Sequence, residues 1–136
     1  MVAAEQGCPF CPGGAWLTGL ELENRLCLLL VAGEPVLRGS GVIIPRAHRP
    51  TPFDLTPAEW AATRELLLQA RDLLTARLGP DGFTLGWNCG PSAGQHVAHA
   101  HLHVIPRFAD EPYAGRGIRY WLKSDANRRP GAVPGG

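Results

Sequence analysis

Hydrophobic and polar positions along the chain predict four β-strands. Residues 24–32, with a continuous apolar run from residue 26, are typical of a buried strand that ends at the turn of residues 33–35. Residues 41–45 predict a second strand, because they are mostly β-branched and end at a proline. Residues 83–88 and residues 97–105 predict the third and the fourth strand.

One long helix is predicted between the second and the third of these strands. Thr56 provides an N-cap, Pro57 suits the first helical position, and Glu59 completes a capping box. A broad apolar stripe at helical spacing follows, formed by Trp60, Leu66, Leu67, Ala70, Leu73, Leu74 and Leu78. Glycine and proline in residues 79–82 end the helix. The expected fold class is therefore α+β, an antiparallel sheet with one main helix.

Length and charge limit the number of domains and the kinds of partner that we expect for this chain. The chain has 136 residues, which predicts a single domain over residues 1–125, and the Arg/Pro/Gly-rich residues 126–136 predict a disordered tail. The formal net charge is only +1 and the charges are scattered, so we expect neither a nucleic acid polymer nor a membrane as partner. Residues 26–32 form an apolar run too short to span a bilayer, and no secretory signal opens the sequence. The expected location is the cytoplasm.

Four of the five histidines lie in residues 94–107, GQHVAHAHLHVIPR. In a regular strand His99, His101 and His103 share one face, and small and apolar residues take the other, core-facing side. An exposed polar face, a metal chelate and nucleophilic catalysis all fit such a row. A cupin-type metal strand would add a glutamate about four residues later, and no acidic residue follows before Asp110. Neutral imidazole, by contrast, is a competent nucleophile toward phosphorus.

The histidine row also resembles a known family signature. Residues 99–105, HAHLHVI, are similar to the motif of the histidine triad (HIT) superfamily, in which apolar residues separate three histidines. Asn88, residues 94–95 and residues 106–107 resemble the flanks of that motif in the dinucleotide-hydrolysing branch. The resemblance covers about residues 8–110. It implies a half-barrel-like antiparallel sheet with one main helix, in a chain that pairs with a second copy as a two-fold homodimer.

The resemblance further implies a nucleotide substrate and a nucleotidyl-histidine intermediate. His101 would attack the α-phosphate of a dinucleoside polyphosphate or a nucleoside phosphoramidate, and His103 would contact the phosphate or the leaving group. Asn88 would hydrogen-bond the phosphates, and Gln95 would shape the phosphate loop. The base and ribose pocket would be formed by residues 28–32 and by Ile44, with the helix as a wall.

The chain departs from the dinucleotide hydrolases at three positions. Ala32 stands where they carry an asparagine that bonds the ribose, and Ser40 stands near the phosphates where they carry a histidine. His96 replaces a serine or threonine. A nucleotide-binding regulatory module with little turnover therefore stays open as an alternative to a hydrolase or transferase.

His96 is the least expected of the histidines. In a regular strand it would point away from the row, but Gly94 and Gln95 suggest a loop that becomes a strand only at about Val97. An imidazole with a pKa of about 6.5 can donate both a hydrogen bond and a proton. We therefore predict that His96 is a general acid for the leaving group or a phosphate ligand.

A second motif, Cys8-Pro9-Phe10-Cys11, lies near the start of the chain. It is similar to a glutaredoxin redox motif, but that motif requires a preceding strand and a helix that starts at the first cysteine. A zinc knuckle is the favoured interpretation and needs two more ligands; two free thiols remain possible. Many bacterial HIT proteins and the related uridylyltransferases have such a knuckle, and this resemblance implies His48 and His99 as the other ligands of one structural zinc ion per protomer. A zinc-stabilised interaction protein is therefore a further alternative to an enzyme.

The remaining cysteines and tryptophans are expected to be structural. Cys27 lies in a predicted strand and is expected to be a buried apolar residue, whereas Cys89 lies in a loop. Trp16, Trp60 and Trp87 are expected in the core.

Overall fold

The computed structural model describes residues 5–131, which form an antiparallel sheet with one long helix. The strands are β1 (Leu20–Glu23), β2 (Cys27–Val31), β3 (Gly41–Pro45), β4 (Gly82–Trp87) and β5 (Leu102–Arg107). The helices are α1 (Pro57–Leu78) and the short α2 (Arg119–Leu122). Single 3₁₀ turns span Ala15–Gly19, Pro52–Asp54, Pro91–Ala93 and Asp125–Asn127. The strand order β1-β2-β3-β5-β4 confirms the predicted α+β class and the open antiparallel sheet.

The β1–β2 hairpin differs from the prediction at both of its strands. The predicted strand 24–32 begins only at Cys27, because the side-chain oxygen of Asn24 accepts hydrogen bonds from the backbone N–H of Leu26 at 3.1 Å and of Cys27 at 2.8 Å. Asn24 therefore closes the turn into β2. β1 itself was not predicted: its four residues, LELE, lie at the sheet edge and are mostly exposed.

Both ends of α1 are as the sequence predicts. Thr56 Oγ1 accepts from the backbone N–H of Glu59 at 3.1 Å, and the Glu59 carboxylate accepts from the N–H of Thr56 at 2.8 Å. Gly79 ends the helix in the left-handed conformation, with φ 58°. Of the predicted apolar stripe, Leu66, Ala70 and Leu74 are buried, whereas Trp60 is 45% exposed. The prediction of Trp60 as a core residue is therefore wrong.

The two faces of the sheet carry different layers. α1 packs over one face on a core formed by Cys27, Leu29, Ile43, Leu66, Ala70, Leu74, Leu102 and Val104. Full burial of one such leucine stabilises the fold by roughly 1.5–3 kcal/mol. The other face carries a smaller cluster of Phe10, Leu28, Leu30 and Ile44, which the N-terminal segment covers. Because β5 alternates between the faces, His103 lies on the side away from α1.

The fourth predicted strand, residues 97–105, begins later than expected. β5 starts at Leu102; residues 97–99 form bends, and residues 100–101 have no regular secondary structure. The backbone N–H of Ala100 donates to the carbonyl oxygen of Arg49 at 2.6 Å, so this segment is held by the chain before α1 and not by a neighbouring strand. His99 and His101 therefore precede the regular strand, which corrects the prediction of three histidines on one strand face.

The C-terminal part of the chain packs little. Residues 126–131 are exposed, and the other predicted tail residues lie outside the described range, so their disorder stays a prediction. Among residues 5–131, no helix has both the length and the apolar character that crossing a membrane requires.

Candidate active site and metal centre

A backbone carbonyl holds the ring of His101. Nδ1 of His101 lies 2.8 Å from the carbonyl oxygen of His99. A carbonyl can only accept, so Nδ1 carries the proton and a neutral ring keeps its lone pair on Nε2. The ring is half-buried and lines a cavity of about 520 Å³. The unprotonated Nε2 that this leaves is what a nucleophile or a base requires.

His103 lies beside His101 on the same cavity wall. The two ring centroids are 4.9 Å apart, in an edge-to-face arrangement. Burial lowers the pKa of His103, and the neighbouring His101 acts in the same direction. Nε2 of His103 is buried and has no hydrogen-bond partner within residues 5–131. A neutral imidazole next to the oriented ring thus has an unused polar atom, which a ligand or a water molecule can satisfy.

The cavity has an apolar floor, an aromatic side and a few polar groups. Its size is that of a typical small-molecule site. Leu30, Val31, Val42 and Ile105 form the floor, and Phe10 and Trp16 form the aromatic side. The polar lining comes from Thr18, Glu34, Ser40, His101 and His103. No residue of α1 is among those that line it, so the prediction that the helix walls the pocket is wrong: the N-terminal segment does so.

Of the residues predicted for nucleotide binding, Ser40 lies at the cavity and Ile44 does not. Ser40 lines the cavity, as does Ala32. Ile44 does not: it is fully buried beneath Phe10, because the N-terminal segment covers that end of the sheet. Ile44 is thus a core residue under the site. Trp16, which was expected in the core, is 54% exposed at the cavity wall.

Gln95 closes the loop that precedes the histidines. Its side-chain oxygen accepts from the N–H of Gly90 at 2.7 Å, and its Nε2 donates to the carbonyls of Pro50 at 2.6 Å and Val97 at 3.0 Å. Its side-chain amide is used within the fold, which agrees with a loop-shaping role. Asn88, by contrast, is half-buried beside the same loop and is not among the residues that line the cavity.

His96 lies on the other side of this loop. It is exposed and lines a separate groove of about 270 Å³, together with Glu5, Cys8 and His48. Residue 96 is in a loop, as predicted. Its position gives no support to a direct contact with a phosphate in the cavity that His101 lines.

The cysteine knuckle, residues 8–11, meets two histidines. One ligand atom from each of Cys8, Cys11, His48 and His99 can be chosen so that all four lie within 4.8 Å of one another. Tetrahedral zinc with bonds of 2.0–2.3 Å needs ligand atoms about 3.4–3.8 Å apart, so small adjustments complete the site. The four residues implied by the resemblance are thus brought together and form a candidate metal centre.

Hydrogen bonds orient both imidazoles for metal binding. Nε2 of His99 faces the carbonyl oxygen of Pro45 at 2.8 Å, and Nε2 of His48 faces the carboxylate of Glu5 at 2.7 Å. Both partners are acceptors, so each Nε2 carries a proton and each Nδ1 is free to bind a metal. Nδ1 of His48 lies 3.2 Å from Cys11 Sγ, and Nδ1 of His99 lies 3.5 Å from Cys8 Sγ. The donor set of two thiols and two Nδ1 atoms fits structural zinc.

The other two cysteines lie apart from this centre. Cys27 is fully buried in the core against α1, as predicted, and burial raises the pKa of its thiol. Cys89 is half-buried in the loop after β4. Neither belongs to the metal cluster.

Two acidic residues, Glu59 and Glu5, support the site, although the sequence analysis assigned neither of them to it. Glu59 is buried, and its carboxylate accepts from Nε of Arg49 at 3.0 and 3.2 Å. This pair fixes the segment that supplies His48 and the carbonyl that holds Ala100. Glu59 had a sequence signal only as a helix-capping residue, and Glu5 had none.

The family and relatives that match the chain agree with this geometry. The family model described as HIT domain matches residues 20–110. The chain is 34% identical over 85 residues to the adenylylsulfatase HINT3 of Arabidopsis thaliana, which covers 62% of this chain and 43% of that protein. It is 33% identical over 100 residues to the bis(5'-adenosyl)-triphosphatase of Dictyostelium discoideum, which covers 69% of this chain and 65% of that protein. The chain thus spans less than two thirds of the length of either relative.

A solved structure has the same architecture. The crystal structure of a HIT family protein from Bacillus anthracis superposes with a TM-score of 0.63 and 32% sequence identity. The match covers 68% of this chain and 65% of that one.

Proposed function

This chain belongs to the HIT domain family, and we propose on that basis that it is a nucleotide hydrolase or nucleotidyl transferase that acts through a nucleotidyl-histidine on His101. The hydrogen bond from Nδ1 of His101 to the carbonyl of His99 carries the proposal, because it leaves Nε2 as the nucleophilic atom of a ring that lines the cavity. The substrate is a nucleotide joined through its α-phosphate to a leaving group.

The reaction has two displacement steps. Nε2 of His101 attacks the α-phosphorus, a P–N bond forms, and the leaving group departs with the electrons of its bond to phosphorus. Water, or another acceptor in a transferase, then attacks the phosphorus and breaks the P–N bond, which returns the electron pair to Nε2. Hydrolysis thus yields a nucleoside monophosphate and free His101.

His103 is proposed to bind the phosphate or the leaving group. Its Nε2 has no partner within residues 5–131, and its neutral ring can donate one hydrogen bond. Ser40 also lines the cavity and can donate through its hydroxyl. Gln95 holds the loop, and Asn88 can contact the phosphates only if that loop moves so that its side chain enters the cavity.

The metal centre is proposed to bind one structural zinc ion per protomer. Four protein ligands leave no open position for water, so the ion supplies folding energy and not catalysis. Cys8, Cys11, His48 and His99 would hold it. Because His99 also supplies the carbonyl that orients His101, the centre supports the catalytic ring.

Two chains are proposed to form a homodimer through β4. This strand is at the edge of the sheet, and the exposed Leu85 on it and Trp60 on α1 make that edge apolar. We further propose a cytoplasmic protein that binds neither a nucleic acid polymer nor a membrane, in keeping with its small, scattered net charge.

The names of two relatives support a proposal for the substrate. Two of them are named for adenylyl sulfate and diadenosine triphosphate hydrolysis. Both reactions break a bond at an adenylyl phosphate, which suits a nucleophile facing an α-phosphate. We therefore propose an adenylyl conjugate, either a dinucleoside polyphosphate or a phosphoramidate or sulfate.

A nucleotide-binding module with little turnover is the alternative. Ala32 places a methyl group on the cavity wall, where a polar side chain would have held the sugar. Weak orientation of the sugar lowers the rate more than it lowers binding of the phosphate.

Trapping of the intermediate separates these candidates. The protein is mixed with substrates labelled at the α-phosphate (diadenosine triphosphate, adenosine phosphoramidate and adenylyl sulfate) and quenched in alkali. An acid-labile, alkali-stable label on the protein that His101→Ala abolishes supports the enzyme. Nucleotide binding without label favours the binding module, and neither binding nor label favours a zinc-stabilised interaction protein.

A further inference from the structure

One side chain of the cysteine knuckle reaches the catalytic histidine. Phe10 is only 5% exposed. The centroid of its ring lies 5.4 Å from that of His101, 5.8 Å from that of His99 and 5.3 Å from that of Trp16. Phe10 thus touches the proposed nucleophile, a candidate metal ligand and the other aromatic residue of the cavity wall.

The knuckle and Trp16 fold as one tight unit. The backbone N–H of Trp16 donates to the carbonyl oxygen of Pro9 at 3.2 Å, and that of Gly14 donates to the carbonyl of Cys11 at 2.7 Å. A Cβ atom on Gly14 would lie 2.2 Å from the Pro9 oxygen, so only glycine allows this close return of the chain. The whole aromatic side of the cavity is therefore built on the backbone that carries the two metal-binding thiols.

We propose that Phe10 is a positioning residue through which a metal ion on the knuckle sets the affinity of the cavity for nucleotide. The proposal rests on the proposed function, because it assumes that this cavity binds a nucleotide. A metal that fixes both sulfurs also fixes the backbone of residues 8–11, and with it the Phe10 ring against His101. The nucleotide then meets a wall that is already ordered, and it pays less of the ordering entropy on binding.

The coupling must act in both directions. If the metal raises the affinity for nucleotide, bound nucleotide raises the affinity for the metal by the same factor. A nucleotide that packs against the aromatic wall holds Phe10 in place, and Phe10 holds the knuckle closed. The knuckle should therefore bind the metal more tightly when the cavity is filled.

The equilibrium partition of zinc between the protein and a chelator of known affinity tests this coupling. Zinc taken by the chelator is measured with a colorimetric indicator, with and without saturating AMP. We expect AMP to raise the zinc affinity of the protein about fivefold or more. In Phe10→Ala the effect of AMP should fall below about twofold, while zinc still binds, since the four ligands are intact. Phe10→Leu, which keeps an apolar side chain but not the ring, should lie between the two.

A matched control and an independent titration separate the outcomes. Phe53→Ala removes an exposed phenylalanine outside the cavity and should keep the full effect of AMP. AMP affinity is measured on the same zinc-loaded proteins. If AMP binds but leaves the zinc affinity unchanged, or if Phe10→Ala and Phe10→Leu both keep the full effect, the coupling is wrong and the proposed function stands. If the unsubstituted zinc protein binds no AMP, both are wrong for this nucleotide.

Discussion

The carboxylate of Glu5 lies 2.7 Å from Nε2 of His48, the imidazole whose other nitrogen faces the thiol of Cys11. This contact holds the His48 ring in the tautomer whose Nδ1 is free to bind a metal. The acid thus supports the candidate metal centre without being one of its four ligand residues.

Removal of Glu5 should weaken zinc binding. Loss of such an outer partner typically costs 10–100-fold in metal affinity, so we expect a loss of about that size in Glu5→Ala and a smaller loss in Glu5→Gln, which keeps an acceptor. Competition with a chelator of known affinity measures the change. Glu65→Ala removes an exposed glutamate on α1 and should leave the affinity unchanged; an equal loss in both alanine variants would contradict the role of Glu5.

Removal of the metal ligands should cost stability more than chemistry. The purified protein is expected to hold close to one zinc ion per protomer, and Cys8→Ala and Cys11→Ala should lose it and melt at a lower temperature. Metal analysis and thermal unfolding measure both effects. Cys89→Ala, outside the metal cluster, should keep the zinc. Protein prepared without chelators and found free of zinc would exclude a zinc centre.

Loss of the His101 imidazole should abolish turnover. A positioned nucleophile contributes far more than a single contact, so His101→Ala should lower kcat at least about a thousandfold while nucleotide still binds. In His101→Gly, free imidazole should restore part of the rate, because it can occupy the vacated space. Rates close to those of the unsubstituted protein in His101→Ala would exclude His101 as the nucleophile.

The lowered pKa of His103 predicts a pH dependence of stability. In the fold this ring resists protonation, so below pH about 6.5 the unfolded chain binds more protons than the folded one, and the free energy of unfolding falls as the pH falls. Above that pH both states are neutral at this residue and its contribution is complete. Urea unfolding at several pH values should show a flatter acid limb in His103→Asn than in the unsubstituted protein. Parallel curves would mean that His103 is not kept neutral by the fold.

Local signals in the sequence account for most of the fold. The capping box of Thr56 and Glu59, the glycine at position 79 and the apolar run that becomes β2 each depend on residues close together in the chain. β1 was missed although its residues, LELE, alternate between apolar and polar, because four residues at an exposed edge give only a short pattern.

Long-range contacts account for what the sequence could not predict. Residues 97–101 have the alternation of a strand, but a hydrogen bond to Arg49 and the approach of His99 to the knuckle bend them out of the sheet. In the same way, only the return of the N-terminal segment over the sheet buries Ile44 and makes Phe10 and Trp16 the cavity wall. The chemistry that the histidine motif indicates stays a prediction, and the packing determines which neighbours surround the motif.

Substitution of His96 tests whether the loop beside the candidate metal centre takes part in catalysis. A proton donor must come within hydrogen-bond reach of the leaving group, directly or through one water. His96 lines the groove with Glu5 and His48, and is not among the residues around the cavity of His101 and His103. We therefore expect His96→Gln to lower the rates with good and with poor leaving groups alike, by less than about threefold. A tenfold loss would need about 1.4 kcal/mol of lost transition-state stabilisation, and a residue outside the cavity makes no contact that supplies it. Rates on a series of adenylyl esters with different leaving-group pKa values measure this. A loss that grows with the leaving-group pKa would instead support His96 as the general acid, and would require the loop to bring its ring to the cavity when substrate binds.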